Sequence, residues 1–111
     1  MSFVEAMKLG KQMADLKANH PDAWTAGEEF GAEWLAQRDI SQVQALRAWS
    51  EVQLNEFIDD AASSTAMVFG EAVSAGEIVL GEPVTKETLM AFGISFGTAL
   101  RDTIDRERRQ S

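Results

Sequence analysis

Leu89 to Leu100, LMAFGISFGTAL, is the longest stretch of the chain without a charged or amide side chain, and the rest must be arranged around whatever it becomes. Three states compete for such a run: a membrane span, a strand and a helix. Its twelve residues lie between Glu87 and Arg101, well short of the roughly 20 apolar residues that cross a bilayer, so the membrane state is excluded. Met90, Phe92, Ile94 and Phe96 alternate with Ala91, Gly93, Ser95 and Gly97, which is the period of a strand. Leu89, Phe92, Phe96, Leu100, Thr103 and Ile104 also follow a helical period, however, and only that period continues past Leu100. The flanks agree with a helix. Thr85 is a good cap, Val84 and Leu89 have the spacing of a hydrophobic staple, and Arg106, Arg108 and Arg109 suit the negative end of the helix dipole.

The remaining segments read the same way. Ser2 and Glu5 have capping-box spacing, Phe3, Ala6, Met7, Gly10, Met13 and Ala14 share one helical face with Glu5, Lys8, Gln12, Asp15 and Asn19 opposite, and the NHPD sequence ends this helix. Pro21 disfavours helical geometry at His20 and suits the first position of a second helix, with Asp22 near its positive end. That helix carries Ala23, Gly27, Phe30 and Trp34 inward and stops near Gln37, Arg38 and Asp39. Ser41 and Gln44 mark the start of a third. The apolar register slips near Ser50, where Ser50 and Gln53 form a capping box and Trp49 and Leu54 a staple, so a kink or break is expected there. Beyond it the helical period runs from Leu54 to Val73, and the charge-free Ala61–Gly70 segment marks a central or interface-forming element. Gly76, Gly81 and Pro83 punctuate a loop before the last helix. The expectation is an all-α fold: one domain, residues 1–111, forming a compact bundle of four or five helices.

Two glycine pairs need a reason, because each glycine lowers helix stability by roughly 1 kcal/mol relative to alanine. Gly27 with Gly31, and Gly93 with Gly97, remove side chains where another helix backbone can come close. Packing inside one chain explains them; a homodimer built on Phe92, Gly93, Phe96, Gly97 and Leu100 is the alternative.

The composition narrows the chemistry. An apolar fraction of 45% and a charged fraction of 25% are those of a chain with a packed core. The absence of cysteine excludes disulfides, thiolate metal sites and a cysteine nucleophile. The single histidine, His20, has no nucleophile-elbow pattern around any serine, and reads as a capping or surface residue. Glu28, Glu29 and Glu33 offer carboxylates on a helix but lack the Glu-x-x-His pairs of a di-iron bundle, and no glycine loop with a lysine cradles a phosphate. No cofactor or metal is expected. Nothing marks the chain for export or for a membrane, so the expected location is cytoplasmic.

The net charge of -8 is unevenly placed: between Arg47 and Lys86 the chain has seven acidic residues and no lysine or arginine. A phosphate-binding surface needs a basic face, so direct nucleic-acid binding is not expected. The dense part, Glu51, Glu56, Asp59 and Asp60, is either a solubility device or an acidic recognition patch. Trp24, Trp34 and Trp49 are core residues or, where exposed, anchors for a partner. These features point to a small acidic non-enzymatic protein that binds another protein, with a homo-oligomer as one form. The alternative is an acidic inhibitor or nucleic-acid mimic that occupies a basic surface of another protein.

Overall fold

The computed structural model describes residues 10–38 and 44–109, and among them every regular element is helical. Helices α1 (Gly10–Asn19), α2 (Pro21–Trp34), α3 (Glu51–Ser74) and α4 (Lys86–Arg109) are joined by two 3-10 turns, Leu35–Gln37 and Leu46–Ala48, and by a loop after Ser74. The all-α bundle expected from the periodicity is therefore the observed fold. The capping boxes expected at Ser2 and Glu5 and at Ser41 and Gln44 lie outside the described residues.

The uncharged stretch is the centre of α4. Seven consecutive residues, Ala91 to Gly97, are buried, and Thr88, Leu100 and Ile104 extend the buried set along the helix. An amphipathic helix buries one stripe; burial on every side means that α4 is surrounded. Phe92, Ile94, Phe96, Leu100 and Ile104 are each fully shielded, and a fully buried side chain of this size contributes about 1.5–3 kcal/mol by leaving water. The strand-like alternation of Phe92, Ile94 and Phe96 is thus a consequence of a helix that needs apolar residues all round.

The ends of the helices follow local chemistry. Ser50 accepts from the backbone N–H of Gln53, while the Gln53 side chain accepts from the Ser50 N–H at 2.9 Å, closing the expected capping box. Trp49 just before it is extended (φ -78°, ψ 143°), so the break near Ser50 is complete. Pro21 opens α2, and Thr85 receives the Thr88 N–H at the start of α4. Gly76, at φ 79°, turns the chain out of α3.

α2 and α3 both pack on α4, and α2 does so most closely. Gly27 and Gly31 explain that difference. A Cβ added at Gly27 would run into the Phe92 carbonyl and the Ser95 hydroxyl, and one at Gly31 into the Phe96 carbonyl and the Ala99 methyl. The close approach expected of this pair therefore occurs within one chain, against the backbone of α4. Gly93 and Gly97 are buried as well.

Gly31→Ala tests the contact by its sign. At an open helix surface the change would stabilise by about 1 kcal/mol through propensity; here overpacking against α4 should lower stability by about 1–3 kcal/mol in urea unfolding. A more stable variant would show that α2 does not press on α4 at this point.

Candidate functional site

Because α2 and α3 rest on the same helix without close backbone contact to one another, a groove runs between them. Side chains rather than backbones bridge the gap. Trp34 of α2 meets Phe57 of α3 edge to face at 5.4 Å between ring centroids, and Phe30 meets Phe69 at 6.4 Å. The floor comes from α4: Phe92 stacks on Phe69 at 4.2 Å and lies 5.7 Å from Phe30, and Phe96 stands perpendicular to Trp34 at 6.5 Å. Trp49, 5.1 Å from Phe57, ends the series. Seven rings thus form one continuous set from the core to the surface, stacked at Phe69, Phe92 and Phe96 and edge to face around Trp34 and Phe57, and both geometries suit the quadrupoles of the rings.

The upper edge of this set is open. Phe30 retains 42% of its surface and Val68 64%, while Trp34, Trp49 and Phe57 are half-buried. Two adjoining hollows result. One, of about 280 Å³, is lined by Trp34, Leu35, Arg38, Ala45, Leu46, Trp49 and Phe57. The other, a shallower trough of about 470 Å³, runs along Phe30, Trp34, Phe57, Ala61, Thr65 and Val68, with Gln37, Arg38, Asp60 and Ser64 at its edges. The Arg38 guanidinium lies 3.9 Å from the centre of the Trp34 ring and so stands at the boundary between the two hollows.

The sequence candidates distribute unevenly around this groove. Phe92, Gly93, Phe96, Gly97 and Leu100 are buried within the single chain and serve the helix packing. Of the acidic group, Glu51 is engaged: Arg101 of α4 reaches it at 2.9 Å and Arg108 at 3.7 Å. Arg101 also bonds Asp105 and the Asn55 side-chain oxygen. Burial works against the Arg101 charge, but the hydrogen bonds and fields of Glu51 and Asp105 outweigh it and raise its pKa above the ordinary guanidinium range. Asp59 also has a partner; Glu56 and Asp60 are exposed, and Asp60 borders the trough. The first carboxylate of the interval that lacks cations along the chain, Glu51, thus receives them in space from the C-terminal helix.

His20 neither caps α2 nor stands free. Its Nδ1 lies 2.6 Å from Glu82 Oε1, at hydrogen-bond distance. Thr88, fully buried, donates to the Pro83 carbonyl at 2.9 Å, and Asp22 accepts from the Gly81 N–H at 3.1 Å. The Thr88 bond ties the loop after α3 to α4, and the His20–Glu82 and Asp22–Gly81 bonds clasp it onto the start of α2. Such pairs, about sixty residues apart in sequence, leave no local signal. Glu28, Glu29 and Glu33 do not converge: no group of three or more potential metal ligands occurs among the described residues. Nor, among them, is any helix long and apolar enough to cross a membrane.

The three tryptophans separate into two kinds. Trp24 is 6% exposed with its indole N–H on Glu28, whereas Trp34 and Trp49 line the groove. The groove was not assembled from the sequence because Trp34, Trp49 and Phe57 look there like separate core residues of three segments. Comparison of the chain with protein-family models, with curated proteins and with solved structures finds no match.

Acrylamide quenching resolves the two kinds of tryptophan. A Trp34→Phe, Trp49→Phe variant, left with Trp24, should be quenched at least about threefold less efficiently than a Trp24→Phe variant, because quencher must reach the ring through solvent. Equal quenching of the two would place Trp34 and Trp49 in the closed core.

Proposed function

We propose that this chain is a small non-enzymatic binding protein that holds another protein in the aromatic groove between α2 and α3. One observation carries the reading: a continuous apolar trough in which Phe30 and Val68 keep 42% and 64% of their surface, backed by the rigid rings of Trp34 and Phe57. Aromatic anchors in a preformed hollow are the usual energetic centre of a protein interface, because they bury much area with few torsions to freeze. The net charge of -8 favours a protein over a nucleic acid as partner.

A photo-cross-linking amino acid at position 68 tests this reading in extract of the source cell. Position 102, exposed on α4, serves as the control. The expected result is a discrete protein adduct from position 68 that is absent from position 102 and is lost by competition with unlabelled chain. Competition by a Trp34→Ala, Phe57→Ala chain should be at least about tenfold weaker, the size expected when interface anchors are truncated. Absence of an adduct at position 68, or equal adducts at both positions, would remove the groove from the function.

A further inference from the structure

We propose that the occupant of the groove is an amphipathic helix of a partner protein, about three turns long, with an apolar stripe flanked by lysine or arginine; this rests on the groove being the binding site. The length follows from the lining. Phe57 and Val68 mark its two ends on α3, eleven residues apart, which at about 1.5 Å per residue is roughly 16 Å, or three helical turns. No strand among the described residues offers an edge for an extended peptide, so the surface shape favours a helix laid between two helices.

The sign of the flanking charge follows from the rim. Asp60 borders the trough, and Glu56, one turn before it, lies in the same helical row and is exposed. Across the groove Glu33 is exposed on α2, one turn after the lining residue Phe30. Asp60 at the trough and the exposed Glu33 and Glu56 within one turn of its lining thus set three carboxylates against one guanidinium, and that guanidinium, of Arg38, already lies over the Trp34 ring. Basic residues on both flanks of an incoming helix would meet these carboxylates, and would be drawn to the chain by its net charge of -8. A second copy of this chain brings the same excess of negative charge to the same rim, which opposes self-association there.

The test is selection from a displayed library of helical peptides against the whole chain. Apolar residues are held at a helical i, i+3, i+4, i+7 stripe, and the flanking positions vary among lysine, glutamate, serine and alanine. The expected pool is rich in lysine on both flanks. A peptide from it should bind at least about tenfold more weakly to a Val68→Glu chain, and about three- to tenfold more weakly to a Glu33→Gln, Glu56→Gln, Asp60→Asn chain, with the latter difference shrinking at high salt. A pool with neutral or acidic flanks, no enrichment of any helix, or equal binding to the triple variant would overturn the inference. A cross-link from position 68 to another protein combined with such a failed selection leaves the binding reading standing and removes the basic helix; an adduct of two copies of this chain also removes it.

Discussion

The approach of Gly27 and Gly31 to the backbone of α4 is the contact on which the rest of the structure depends. Two missing side chains let α2 lie directly over the Phe92–Ala99 segment, with Ser95 and Ala99 as small residues on the facing side. Glycine weakens a helix, so this arrangement is stable only because the bare backbone gains dispersion contacts that a larger residue would block. α3 has no comparable pair facing α2. It packs on α4 through Leu54, Ile58, Ala62, Ala66 and Phe69, and stands off from α2 by the width of aromatic side chains.

The groove is a consequence of that asymmetry. With α2 pressed against one side of α4 and α3 packed on another, Phe92 and Phe96 reach toward the gap, and the rings of Phe30, Trp34 and Phe57 close over them without filling it. Trp34 and Phe57 are wedged against Phe96 and Trp49, and the trough lies open beside them. Electrostatics then separates two regions of α3. At its start Glu51 is tied to Arg101 and Arg108, which fastens α3 to α4; farther along, Glu56 and Asp60 are exposed, with Asp60 at the border of the groove. The same acidic segment thus serves adhesion at one end and leaves charge on the surface at the other.

Much of this was legible from local chemistry. The Ser50–Gln53 box, Pro21, Thr85 and Gly76 act within a few residues of themselves, so their spacing reports helix boundaries directly. The helical state of α4 was legible too, because only the helical period of Leu89, Phe92, Phe96 and Leu100 continues to Thr103 and Ile104. The groove and the clasp were not. Trp34 and Phe57 are brought together by the packing of α2 and α3 on a third helix, and His20 and Glu82 by the return of a loop, so neither pair leaves a periodic trace. For the same reason Glu51 reads from sequence as part of an unbroken acidic run, while its counter-charges wait fifty residues and more downstream in α4.

Nuclear Overhauser contacts in the wild-type chain test most directly whether glycine packing creates an open aromatic groove. The account predicts transfer from the Hα protons of Gly27 and Gly31 to the side chains of Ser95 and Ala99, together with transfer from the Trp34 ring to both Phe57 and Phe96. Contacts from those glycine protons to side chains of α3, with no transfer between Trp34 and Phe57, would mean that α2 and α3 close on each other, and there would be no groove to occupy.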